Sequence, residues 1–205
     1  MTERSDIETG EAQFRLAEAY EDGLGVKFDI SLAVTLYEKS ANLGHMMAQY
    51  HLGVFYYWGI EDLGIDPNYK KAAKYYRMAA EQGYAETQCE LGIMYRKGLG
   101  VPKDDKKAAN WLLKAAEQGY SHVAYDLGQM YLLGEGVPAN NVEAYKWFKM
   151  LPPNERAFDR VDREEITHLK EIMTDKEIEE AEALVTDWIE NCMDSKHSRT
   201  TLYEA

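Results

Sequence analysis

Cysteine is nearly missing from this sequence: among 205 residues there are only Cys89 and Cys192. Two thiols cannot form a disulfide framework, so a small scaffold held by bridges is excluded and a reducing compartment is expected. Long apolar runs are missing too, since none approaches the roughly 18 residues that a membrane-spanning helix needs. The opening decapeptide MTERSDIETG has no apolar leader core, so no secretory signal is expected and the cytoplasm is the expected location. Basic charge is in deficit, with 23 Lys and Arg against 36 Asp and Glu, a net −13. What is present argues for a folded chain. The hydrophobic share is 45%, with 15 Tyr and 4 Trp, an aromatic content suited to packed or ligand-facing surfaces. The length fits one compact domain or one repeat array.

The charge is unevenly placed. Residues 1–22 carry seven acids (Glu3, Asp6, Glu8, Glu11, Glu18, Glu21, Asp22) against Arg4 and Arg15, giving −5. Residues 159–192 carry twelve acids against Arg160, Arg163, Lys170 and Lys176, giving −8, and the remainder sums to zero. Acidic ends and a balanced centre argue against nucleic acid and anionic membranes as partners and point to another protein, a basic one. The same ends also serve solubility, because the terminal units of a repeat array need polar outer faces.

Self-similarity organises the chain. The segments Leu16-Ala17-Glu18-Ala19-Tyr20, Leu52-Gly53-Val54-Phe55-Tyr56, Leu91-Gly92-Ile93-Met94-Tyr95 and Leu127-Gly128-Gln129-Met130-Tyr131 align, their leucines 36, 39 and 36 residues apart. A glycine loop follows each, such as Gly98-Leu99-Gly100-Val101-Pro102. A second apolar pattern then follows, for example Ala108, Trp111, Leu112, Ala115 and Ala116. Leu and Tyr four apart share one helical face, and the small residue beside the Leu admits a close neighbour. We name this helix A. Glycine accepts the left-handed conformation that ends such a helix. The second pattern is the buried stripe of a helix B, which Gly44, Gly83 or Gly119 stops. One hairpin cannot bury its apolar face alone, so the units must stack. Four units cover residues 11–45, 46–84, 85–120 and 121–151, after a flexible N-terminus over residues 1–10. The second is longer: Tyr56 to Ala72 spans 16 residues where the others span 13, which puts three extra residues into the exposed turn Gly59–Gly64.

Beyond Pro152-Pro153 a helix is expected from about Asp159 to Met173, with Val161, Ile166, Leu169 and Ile172 as its apolar side. Thr174-Asp175-Lys176-Glu177 reads as a capping box opening a last helix with the stripe Ile178, Ala181, Val185, Trp188 and Cys192. This pair, over residues 152–194, is expected to cap the array, and residues 195–205 to form a mobile tail.

The pattern Leu-Gly-x-x-Tyr-x-x-Gly-x-Gly-Val, followed by Lys-Ala-Ala-x-Trp-Leu-x-Lys-Ala-Ala-x-x-Gly in the third unit, resembles the Sel1-like repeat family, itself related to tetratricopeptide repeats. The match covers all four units and is loosest in the first, where Ala17 and Ser40 depart from it. The resemblance implies an all-α fold of helical hairpins stacked into a right-handed superhelix, and a role as adaptor or scaffold without catalysis. It further implies a concave groove lined by helix A positions two before, and two, five and six after, the repeat leucine. In the first unit these are Phe14, Glu18, Glu21 and Asp22, and in the second Tyr50, Val54, Tyr57 and Trp58. The third supplies Cys89, Ile93, Arg96 and Lys97, and the fourth Tyr125, Gln129, Leu132 and Leu133. Tyr57 and Trp58 offer large contact area at low entropic cost, and Arg96 with Lys97 is suited to a carboxylate. The competing reading folds Trp58 over the inserted turn, onto Ile60 or Leu63.

Residues for chemistry are sparse. His45, His51, His122, His168 and His197 are scattered, with no i, i+4 metal pairing, and Cys89 has no evident base. The glycine loops lack a phosphate-loop lysine and follow helices, and Glu61, Asp62 and Asp66 are too few for a calcium loop. No catalytic residue, metal or cofactor is expected. The alternative to an adaptor is an immunity or inhibitor protein that neutralises a basic toxin or effector, a use known for acidic relatives. A more remote alternative is a hydrolase of the β-lactam-binding kind, but those relatives carry paired cysteines in each repeat and this chain does not.

Overall fold

Each helix B begins on a side chain that can accept a hydrogen bond from its own first turn. Asp29, Asn68, Asp104 and Asn140 receive the amides of Leu32, Lys71, Lys107 and Val142, satisfying donors that a helix start leaves unpaired. The helices so started are α2 (Ile30–Asn42), α4 (Tyr69–Glu81), α6 (Asp105–Glu117) and α8 (Asn141–Lys149). The A helices are α1 (Thr2–Asp22), α3 (Met46–Trp58), α5 (Ala85–Lys97) and α7 (Ala124–Leu133), and α9 (Val161–Ile172) and α10 (Asp175–Thr200) follow. The computed structural model describes residues 2–151 and 161–200, and among these the fold is all-α, with one isolated bridge between Ile60 and Ile65. The expectations for Pro152, Pro153, the helix start near Asp159 and the last five residues lie outside the described residues, as do the side chains of Val161 and Cys192. Two compact units divide the chain, Met1–Lys103 and Asp104–Ala205.

In the first unit the A and B helices bury the expected stripes. Ala17, Tyr37, Ala41, Leu52, Tyr76 and Met94 belong to one core cluster. A fully buried leucine such as Leu52 contributes about 1.5–3 kcal/mol over an exposed one. Gly53 is small for a steric reason: a Cβ there would overlap the ring of Tyr76, so the glycine lets α3 and α4 approach. Buried Gln49 and Gln88 donate to the carbonyls of Ala41 and Ala80, at 3.1 Å each, pairing acceptors at the end of the preceding helix B.

Helix α1 begins at Thr2 and runs through the stretch 1–10. Gly10 does not interrupt it. Its missing side chain faces Leu43 Cβ, 3.4 Å from where a Cβ would stand, and its carbonyl accepts from Ser40 Oγ at 2.7 Å. Gly10 is a close-packing position. His45 ties the same helix: its Nδ1 accepts from the Ala48 amide at 3.3 Å, so the ring proton sits on Nε2, 2.8 Å from Glu11.

The inserted turn folds back. Ile60 and Ile65 exchange backbone hydrogen bonds of 2.8 and 3.0 Å around a 3₁₀ turn at Glu61–Leu63, and Ile60 is buried.

In the second unit Leu127, Met130, Tyr145, Phe148, Leu169 and Ala181 are buried. Helices α9 and α10 both pack on α8, with the Trp147 and Trp188 rings edge to face at 6.4 Å. Thr174 and Glu177 form the reciprocal box: the Thr174 amide donates to Glu177 at 2.8 Å and the Glu177 amide to Thr174 Oγ1 at 3.3 Å. Those bonds hold the Glu177 carboxyl below the usual range. One expectation is corrected. Ile172 is 52% exposed rather than on the packed side of α9, where Leu169 and Met173 take that place. Residues 195–200 are part of α10.

Candidate partner-binding site

The pocket with the largest share of the expected groove residues lies wholly in the first unit. It has a volume of about 340 Å³ and is lined by Tyr50, Val54, Tyr57, Trp58, Tyr76, Glu86, Glu90, Ile93 and Lys97. Helical periodicity explains this membership. Tyr50, Val54 and Tyr57 stand at i, i+4 and i+7 on α3, and Glu86, Glu90, Ile93 and Lys97 at i, i+4, i+7 and i+11 on α5, so each set forms one stripe. Tyr76 comes from α4 between them, as the ring for which Gly53 makes room.

Trp58 is 74% exposed at the end of α3, its ring edge to face on Tyr57 at 5.1 Å. That exposure leaves no room for the ring to be packed away on Ile60 or Leu63. Tyr57 also meets Tyr69 edge to face at 5.4 Å, which fixes its ring from the outer side.

The electrostatics differ from the expectation. Arg96, expected beside Lys97 as one half of a carboxylate clamp, does not line the pocket. One residue along a helix is a turn of about 100°, so Arg96 leaves the stripe that Lys97 is on. Two carboxylates take its place. Glu86 receives the hydroxyls of Tyr50 at 2.6 Å and Tyr84 at 3.0 Å, one on each oxygen, which fixes the group. Burial raises the Tyr57 and Tyr76 phenols above the ordinary tyrosine range, and the charge of Glu90 adds to both shifts. Tyr84 is pushed up to about 12, by burial first and then by its bond to Glu86.

Other expected groove residues are placed differently. Phe14 is buried, its ring 4.5 Å from His45 and 5.7 Å from Tyr37, and Cys89 is buried on α5. Both are core rather than groove, which corrects the rule at the position two before the leucine. Glu21 accepts from the Tyr37 hydroxyl, while Glu18 is half-buried and Asp22 exposed. In the second unit Gln129 donates to Glu165 at 2.9 Å and lies 3.5 Å from the Tyr125 hydroxyl, so it is held by α9. Tyr125 and Leu132 are half-buried and Leu133 is exposed.

The repeat pattern is decided by a family profile: the Sel1 repeat matches residues 10–45, 47–84, 85–120 and 121–151. The chain belongs to the Sel1 repeat family. This Sel1 repeat chain is 36% identical over 91 residues to a sel1-like repeat-containing protein of Acanthamoeba polyphaga mimivirus. It is 35% identical over 99 residues to chitin synthase regulatory factor 3 of Schizosaccharomyces pombe. Those matches span 44% and 46% of the chain but only 16% and 10% of the relatives' lengths. Among solved structures it resembles a Sel1 repeat protein from Oxalobacter formigenes, with a TM-score of 0.64 and 34% identity over 73% of this chain and 60% of that one. It also resembles a protective antigen of uropathogenic Escherichia coli with the same repeat fold, with a TM-score of 0.55 and 29% identity over 94% of this chain and 48% of the other. The Sel1 repeat fold is generally a protein-interaction scaffold. Among the described residues no helix is long and apolar enough to cross a membrane, and no group of three His, Cys, Asp or Glu is placed to hold a metal.

Sequence reasoning found six of the nine lining residues and missed Tyr76, Glu86 and Glu90. The signal for the two acids was available as the i, i+4, i+7, i+11 stripe that continues Ile93 and Lys97 backwards along α5. Tyr76 had no such signal, because it looks like any buried helix B residue.

Proposed function

We propose that this chain is a non-catalytic protein-interaction module that holds a partner segment in the pocket between α3, α4 and α5. One observation carries the reading: a pocket in the first unit with four aromatic residues in its wall ends in an indole, Trp58, that is 74% exposed although the core around it is closed. Hot spots of interfaces are made of such side chains, Trp and Tyr above all. The family supports the scaffold role, and the relative named as a regulatory factor of chitin synthase supports a regulatory use. The low cysteine content supports the cytoplasm as compartment, and the packing of α9 and α10 on α8 supports a capping role for them. The net charge of −13 supports a basic partner, and with it the narrower reading of an inhibitor that neutralises a basic toxin or effector.

Random heptapeptides displayed on phage and selected against the whole chain test the pocket. Selected peptides are expected to lose about tenfold or more in affinity to the Trp58→Ala and Tyr57→Ala variants. Peptides that bind both variants as tightly as the parent would place recognition elsewhere.

A further inference from the structure

The pocket also holds information about what enters it. Three features of its wall act in the same direction. Its carboxylates, Glu86 and Glu90, outnumber its one cation, Lys97, so a carboxylate brought in would meet net negative charge at short range. Glu86 is fixed by two phenols, one on each oxygen, and a carboxylate accepts about four hydrogen bonds, so it remains able to receive a further donor. Beside Val54 and Ile93 the remaining wall has four aromatic residues, Tyr50, Tyr57, Trp58 and Tyr76, and the faces of such rings carry the negative lobe of a quadrupole that attracts cations. At about 340 Å³ the pocket sits at the low end of ligand sites, a size for one long side chain rather than a helix.

We infer that this pocket receives a cationic side chain of the bound partner, an arginine in preference to a lysine. The inference rests on the groove reading above and reverses the charge that the sequence assigned to its ligand. A guanidinium can lie flat on an indole or phenol ring while its planar N–H fork meets a carboxylate in two parallel bonds, whereas an ammonium approaches ring and carboxylate only as a point charge. Lys97, exposed at the far end of the α5 stripe, stands against a second cation beside the first.

The test uses three synthetic heptapeptides of Gly and Ser, blocked at both ends, with arginine, citrulline or glutamate at the centre. Citrulline keeps the shape of arginine and removes its charge. Each is titrated into the full chain while the indole N–H of Trp58 is followed by NMR. The arginine peptide is expected to shift that resonance and to bind about tenfold more tightly than either of the others. Glu90→Gln is expected to lower its affinity several-fold and Lys97→Ala to raise it about twofold by removing a like charge, while Trp58→Ala, which removes the NMR probe and is followed by calorimetry, is expected to lower it several-fold. Trp58 and Lys97 are both exposed, so these two variants test the pocket and not the fold. Equal binding of the citrulline peptide, tighter binding of the glutamate peptide, or no shift with arginine at millimolar concentration would each overturn the inference. Phage-selected peptides that depend on Trp58 yet contain no arginine or lysine would overturn it while leaving the groove reading intact.

Discussion

The tetrapeptide Gly-Leu-Gly-Val occurs twice, at 23–26 and at 98–101, and the two copies live in opposite surroundings. Gly25 and Gly100 have nearly the same backbone, with φ of +74° and +69°. A Cβ on Gly100 would fall on the carbonyl of Tyr69, at the first turn of α4, whereas one on Gly25 would find nothing within 4 Å. Leu99 packs on the core cluster, while Leu24 is 69% exposed. The helix A leucines repeat the contrast: Leu91 is fully buried and Leu16 is 43% exposed. Gln13, at the position of Gln49 and Gln88, has a buried Oε1 that finds no donor among the described residues. One motif is thus written into both loops, but only the later copy has the first turn of an earlier helix B beneath it. Most of what the repeat pattern specifies is this stacking contact, and the first hairpin carries the residues for it on an outer face where no earlier hairpin of the described chain stands.

The sharpest way to break that comparison is to add one methyl group to each loop. Gly100→Ala pays the left-handed backbone cost, about 1–2 kcal/mol, and an overlap with backbone that cannot swing aside, about 1–3 kcal/mol, for a total of about 2–5 kcal/mol. Gly25→Ala meets only the first, about 1 kcal/mol. Urea denaturation of the two variants measures the difference, and equal losses would mean that φ alone explains the motif. The leucines come next. Leu91→Ala is expected to cost about 3 kcal/mol, as buried leucines do, and Leu16→Ala about 1 kcal/mol or less. A Leu16→Ala loss as large as that of Leu91→Ala would show the outer face to be covered in solution.

The same contrast explains which features are legible in the sequence. The hairpins, their order and the long second loop were legible because each rests on local chemistry: leucine and tyrosine four apart, a glycine at the helix end, a small residue where helices touch. Gly10 carries no such local signal, and only its place against Leu43 and Ser40 shows it to be a contact. Phe14 and Cys89 were assigned to the groove by a position rule that fits Tyr50, a ring long enough to reach the pocket. A cysteine at that position is too short to leave the core, and Phe14 stacks inward on His45. The sign of the pocket was misjudged for a related reason. Adjacent Arg96 and Lys97 look like a pair in a sequence, but a helix sends neighbours about 100° apart and brings Glu86 and Glu90 to Lys97 instead.

The smallest expected effect sharpens the comparison by being the same on both sides of it. Asp29 and Asn68 open the B helices of the first and second hairpins, accepting from Leu32 at 2.9 Å and from Lys71 at 3.1 Å, each three residues on. A cap of this kind acts within its own first turn, so it should not depend on whether another hairpin lies beneath the unit. Alanine at either position is expected to cost about 1 kcal/mol, read from the same urea transitions. If Asp29→Ala and Asn68→Ala lose alike while Gly25→Ala and Gly100→Ala do not, the repeat separates into two layers of specification. One is local and present in every hairpin. The other exists only where a hairpin has a predecessor, and it is there that the glycine and leucine of the motif stabilise the fold.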